Sequence, residues 1–198
     1  ALRDAPNAKV FISRVQKDLG LNIKVIDGEK EAYYGGVAAL NLLHDDTFVT
    51  VDIGGGSTEF SFVKNGKIEK SISLNIGTVR IKELYFNKED IEGARKVILD
   101  NLKKIFDLGI EIPSKVVGIG GSIRAVSKII MEKNNYPLDI LHGYTYNVKN
   151  ENTLFNKIIN ARNNDDLKSI GVKKDRFDTI KEGSFIFKTI LDELNIKE

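Results

Sequence analysis

Apolar residues recur at helical spacing twice in the first part of the chain. Val10, Phe11, Val15 and Leu19 predict one helix, with Asn7 placed to cap it and Gly20 to end it. Tyr33, Val37, Leu40 and Leu43 predict a second, from about Lys30 to Leu43. Between them, Leu21 to Ile26 is a β-rich run closed by Asp27-Gly28 and reads as a strand. After the turn His44-Asp45-Asp46 the pattern changes. Phe48 to Ile53 is a continuous apolar run of the buried-strand type, followed by Gly54-Gly55-Gly56. Thr58 to Lys64 alternates, with Phe60 and Phe62 on one side and Glu59 and Ser61 on the other, which predicts a half-buried strand. Asn65-Gly66 is a strong hairpin signal, because a type I′ turn needs positive φ at both central positions. Lys67 to Leu74 completes an antiparallel meander. Helices are then expected near Thr78–Phe86 and Lys88–Leu108, a fourth strand at Val116–Ile119 and a helix at Ile123–Glu132. From Lys149 to Asn195 the pattern is helical, with polar loops at Asn163–Asp166 and Lys173–Asp175.

Three antiparallel strands, helix, strand, helix is the skeleton of the α/β, ribonuclease-H-like fold: a mixed sheet of one meander and one parallel strand, with flanking helices. Composition removes many chemistries. Cysteine is absent, which excludes disulfides, thiolate metal sites and thiol nucleophiles. The only histidines are His44, in a polar turn, and His142, before Gly143 in a loop. Lys plus Arg is 30 against 28 Asp plus Glu, a balance that gives no electrostatic case for nucleic-acid binding. No apolar run approaches the ~20 residues of a membrane span, and the N-terminal residues lack signal-peptide form. A cytoplasmic location is the default expectation.

The most informative stretch is Val51-Asp52-Ile53-Gly54-Gly55-Gly56-Ser57-Thr58-Glu59. A hairpin turn rarely needs three glycines, each costing roughly 0.5–1 kcal/mol of backbone entropy relative to Ala. A loop whose bare N–H groups approach an anion does use them. No Lys-Ser or Lys-Thr follows at P-loop spacing, and the alternation after the glycines is wrong for a Rossmann turn. A strand, a glycine turn and a second strand, with Asp ending the first, is the form of the phosphate loop in actin-like enzymes. A second glycine loop, Gly118-Ile119-Gly120-Gly121-Ser122, joins a strand to a helix, where free amides and the helix dipole also favour phosphate.

With these motifs in place, the sequence resembles the exopolyphosphatase/guanosine pentaphosphate phosphohydrolase (Ppx/GppA) family of the actin-like ATPase superfamily. The likeness runs through most of the chain: Ala1–Asn7, Val25–Ala32, Asp52–Glu59, Asn75–Arg80, Gly118–Ala125 and Arg176-Phe177-Asp178 with Gly183 all match family segments. Lys30 stands where the family has Glu, while the Glu that serves as its catalytic base aligns with Glu31. The family's first phosphate loop, D-x-G-S-N-S, does not occur here, and its last strand is also expected to be missing. The resemblance therefore implies a fragment: residues 1–44 as the C-terminal remnant of a first actin-like domain, and 45–198 as a second.

The resemblance implies Mg²⁺-dependent hydrolysis of a terminal phosphoanhydride, with polyphosphate or guanosine pentaphosphate as the partner molecule and a homodimer as a possible assembly. Glu31 would orient or deprotonate the attacking water, and Asp52 and Glu59 would be the Mg²⁺ ligands. Arg3, Gly54, Gly55, Gly56, Ser57, Gly120, Gly121 and Ser122 would bind phosphate. Without the first loop, these 198 residues are expected to bind phosphate weakly and to hydrolyse polyphosphate negligibly. The alternative is a phosphate-, polyphosphate- or nucleotide-binding module without turnover. A sugar or acetate kinase of the same superfamily is disfavoured by Ile26-Asp27-Gly28 with Glu31-Ala32.

Overall fold

The structure, a computed structural model, describes residues 2–3 and 5–196. Ala1 and Asp4 of the N-terminal motif lie outside the described residues. Helix α1 (Ala8–Leu19) ends at Gly20, which takes the left-handed conformation at φ 68°. Helix α2 (Gly28–Leu42) begins two residues before the sequence-based expectation. The Asp27 side chain caps it by accepting from the Lys30 amide at 2.7 Å. The segment between these helices is not a strand. Its β-branched residues find no neighbouring strand, and Leu21 and Val25 stay exposed.

Strands β1 (Phe48–Ile53), β2 (Thr58–Lys64) and β3 (Lys67–Leu74) form the expected meander, and β4 (Val116–Ile119) adds in parallel to β1. The sheet order is β3-β2-β1-β4. Asn65 and Gly66 have φ of 49° and 71°, as a type I′ turn requires. Helix α3 (Thr78–Leu84), α4 (Ile91–Phe106), α5 (Gly121–Lys133), α6 (Asn152–Ile159), α7 (Asn164–Ile170) and α8 (Ile180–Glu193) follow in chain order. Asn163–Asp166, expected as a loop, is the start of α7. The Asn163 carbonyl oxygen of the side chain accepts from the Asp166 amide at 2.9 Å, so the polar run is a helix cap.

Register divides the sheet into two unlike faces. Val49, Val51, Ile53, Phe60, Phe62 and Leu74 enter the large core with residues of α4, α5, α6 and α8. On the other face lies α2. Here β2 departs from the expected half-exposed strand: Glu59 and Ser61 are buried as deeply as Phe60 and Phe62, because α2 covers them. Beneath the C-terminal half of α2, Ala39, Phe48 and Val63 form a small apolar cluster. Beneath its middle, Ser61 Oγ donates to the Ala32 carbonyl at 2.7 Å and lies 2.8 Å from Ser71 Oγ. Beneath its N-terminus stand Asp52, Glu59 and Ser73. Helix and sheet approach closely because glycines face serines: a Cβ on Gly36 would lie 2.8 Å from Ser61 Cβ.

Candidate active site

Antiparallel pairing sets Asp52 opposite Glu59 and Glu59 opposite Ser73, so three polar residues line up across three strands. The first turn of α2 brings Glu31 above them. Arg3 closes the group. Its Nη1 donates to Glu31 Oε2 at 2.8 Å, and its Nη2 to Ser57 Oγ at 3.0 Å and to Glu59 Oε1 at 3.3 Å. The Glu59 side chain is only 5% exposed, whereas that of Glu31 is 52% exposed and open to solvent. Arginine suits this place because its planar fork reaches two carboxylates and a hydroxyl at once. Burial raises the Asp52 carboxyl to about 6, and the negative charges of Glu59 and Glu31 push the same way, against a smaller opposing effect of Arg124.

The first glycine loop turns between β1 and β2. Gly54 N–H donates to the Ser57 carbonyl at 3.0 Å, while among the described residues the amides of Gly55 and Gly56 have no backbone acceptor. The loop is held from behind. The amides of Thr78 and Val79 donate to the carbonyls of Gly54 and Gly55, each at 2.9 Å, and Arg80 Nε donates to the Gly56 carbonyl at 3.0 Å. Gly77 must be glycine, since a Cβ there would meet Gly55 and Gly56 backbone at 2.5 Å. Carbonyls directed inward leave amides for a ligand.

The second loop lies beside the first. Gly120, at φ 102°, passes so close that a Cβ would stand 2.9 Å from the Ile53 carbonyl and 3.1 Å from Asp52 Oδ1. The helix start leaves the amides of Gly121 and Ser122 without intrahelical partners. The Ser122 hydroxyl, by contrast, is buried and turned towards the Thr179 carbonyl, 3.5 Å away, with Gly183 against it. Only its amide faces a possible anion.

Glu31, Arg3, Asp52, Ser57 and Glu59 thus converge with both glycine loops. Sequence reasoning had not assigned Ser73, Arg80, Arg124 or Arg176 to the site. Ser73 Oγ donates to Glu59 Oε1 at 2.7 Å. Arg124 acts on Asp52 through charge, and its Nε donates to the Gly120 carbonyl at 3.3 Å. Arg176 lies over Gly121 so closely that a Cβ there would be 2.2 Å from its Nη1. Arg80, Arg124 and Arg176 lie in segments that match the family. Ser73 carries no signal beyond its register.

The Ppx/GppA phosphatase family model matches residues 1–198. The chain belongs to the Ppx/GppA phosphatase family. A crystal structure of the Aquifex aeolicus Ppx/GppA family member superposes with a TM-score of 0.80 at 27% identity, covering 99% of this chain and 65% of that one. An exopolyphosphatase from Cytophaga hutchinsonii, at 21% identity and a TM-score of 0.82, shares the fold over 96% of this chain and 64% of its own. A bifunctional 3-dehydroquinate synthase/phosphatase of Fusobacterium nucleatum is 32% identical over 203 residues, which is 97% of this chain and 30% of that protein. The Ppx/GppA chain therefore spans about two thirds of its solved relatives and under a third of this last one. Its mixed four-stranded sheet with flanking helices is the actin-like ATPase fold.

Among the described residues no group of three acidic or histidine side chains forms a preassembled metal cage. The donor chemistry nevertheless fits Mg²⁺. Asp52 and Glu59 offer hard oxygens side by side, and Mg²⁺ is commonly held by one or two carboxylates together with substrate oxygens. Burial first, and the charges of Glu59 and Glu31 after it, penalise the ionised Asp52 carboxylate, a penalty that a cation would relieve.

Proposed function

We propose that this site binds the terminal phosphate of polyphosphate or guanosine pentaphosphate and hydrolyses the outermost anhydride bond. The observation that carries the reading is the convergence of Glu31, Asp52, Glu59 and Arg3 on two glycine loops with free amides. In this reading the amides of Gly55, Gly56, Gly121 and Ser122 hold phosphate oxygens. Arg3 exchanges its carboxylate partners for the anion. Asp52 and Glu59 would hold Mg²⁺, which supplies charge neutralisation on the transferring group. Glu31, exposed at the helix start, accepts the proton of the attacking water as its oxygen bonds to phosphorus and the anhydride P–O bond breaks.

A second reading, binding without turnover, is favoured by one observation: Arg3 occupies the Glu31 carboxylate at 2.8 Å. Two measurements separate them. Tripolyphosphate binding is titrated with and without Mg²⁺ on this chain. Orthophosphate release from long-chain polyphosphate, guanosine pentaphosphate and ATP is measured on a chain of the relatives' length, since these residues cover 65% of a solved relative. Glu31→Gln should lower release by about 10²–10⁴-fold with binding and thermal stability nearly unchanged. Binding without any release supports the second reading, absence of Mg²⁺-dependent binding refutes the first, and absence of any tripolyphosphate binding refutes both.

A further inference from the structure

We propose that Ser73 is a positioning residue that fixes the Glu59 carboxylate for its cation and seats the helix carrying Glu31; this rests on the reading that Glu59 holds Mg²⁺. Four contacts lead there. Ser73 stands directly opposite Glu59 in the β2–β3 register. Its Oγ donates to Glu59 Oε1 at 2.7 Å, the shortest bond that carboxylate makes among the described residues. The same Oγ accepts from Arg3 Nη2 at 3.4 Å. On its outer side it supports the first residue of α2: a Cβ on Gly28 would lie 2.3 Å from Ser73 Cβ and 2.6 Å from its Oγ.

A carboxylate is a two-fold rotor, and nothing in a strand backbone fixes its plane. The Ser73 hydroxyl has one hydrogen to donate, and Glu59 Oε1 accepts that hydrogen bond. That leaves Oε2, which no described residue hydrogen bonds, as the oxygen presented to a ligand. Metal carboxylates need such orienting partners, whose removal commonly costs 10–100-fold in affinity. Because Gly28 rests on the same side chain, strand and helix share one reference point. Three residues on, Glu31 is thereby held at a set height above Glu59. Serine is the one small side chain that both donates this bond and leaves room for the helix; alanine would keep the room and lose the bond.

Ser71 provides the control. It lies two residues away on the same face and bonds Ser61 at 2.8 Å, with no contact to a carboxylate. Isothermal titration of tripolyphosphate against the chain, at a series of Mg²⁺ concentrations and with no Mg²⁺, tests the assignment. Ser73→Ala should raise the Mg²⁺ concentration for half-maximal binding by about tenfold or more, leave Mg²⁺-free binding within about twofold, and melt close to the unaltered chain. Ser71→Ala should match the unaltered chain in all three. An Mg²⁺ requirement unchanged by Ser73→Ala, while the unaltered chain shows Mg²⁺-dependent binding, overturns the role of Ser73 and leaves the functional reading standing. Equal loss in both variants traces the effect to the packing of α2 and not to the Glu59 carboxylate, and overturns it too. If the unaltered chain binds tripolyphosphate without regard to Mg²⁺, the functional reading fails and the proposal falls with it.

Discussion

The two faces of the sheet are made by the same strands and hold the molecule in opposite ways. One face, with Val49, Val51, Phe60 and Phe62 in the large cluster that includes α4 and α8, is joined chiefly by apolar contact. The other changes character along α2. It passes from the apolar cluster of Phe48, Val63 and Ala39, through the hydroxyls of Ser61 and Ser71, to the charges of Asp52 and Glu59. Non-directional burial sets where the layers lie. Directional bonds and glycine–serine contacts then set how the functional end of α2 sits. On the proposed function, a site that accepts a phosphate cannot be lined by the groups that best stabilise a core, and the large apolar cluster lies on the other face.

Breaking the apolar face should cost most. Phe60→Ala removes a fully buried ring and should destabilise the fold by about 3–5 kcal/mol, read by urea denaturation. On the polar face, Gly36→Ala places a methyl group 2.8 Å from Ser61 Cβ and 3.0 Å from Ile68 Cδ1. It should cost about 1–3 kcal/mol by the same assay and weaken Mg²⁺-dependent tripolyphosphate binding as α2 lifts. The charged end should behave in reverse. The Asp52 carboxyl is near 6 when folded against 3.8 ordinarily, so the folded state holds the proton more tightly. Stability thus falls as pH rises from the ordinary value to about 6, and the whole penalty is present above that. Asp52→Asn should therefore stabilise the ligand-free protein by about 1 kcal/mol at neutral pH, allowing for solvent screening, and by nothing near pH 3. The unaltered chain should gain Mg²⁺-dependent binding as pH rises through 6, and Asp52→Asn should abolish that gain. A destabilised Asp52→Asn protein would place Asp52 among structural residues.

The meander was legible because its signals are local. Alternation in Thr58–Lys64 and Asn65-Gly66 fixed strand ends and register, and register alone set Asp52 beside Glu59. Leu21–Ile26 failed for the complementary reason: β-branched composition announces a strand, but a strand needs a partner, and partners are tertiary. The polar run at Asn163 read as a loop because capping residues and loop residues are the same types. Both glycine loops could be found from composition. The arginines over them, and the Ser73 contact to Gly28, exist only after distant segments close together, and the sequence carries no period that records such closure.

Arg3 and Gly28 meet at the site, yet residues 5–27 leave it and return with no buried side chain in α1. That excursion is a tether. While intact, it keeps the Arg3 guanidinium at an effective concentration in the millimolar range or above, so four polar bonds suffice to dock it. Lys24 is exposed in the extended stretch before α2. A single tryptic cut there would remove this tether from Arg3, leaving the sheet, both glycine loops and Glu31 in one piece.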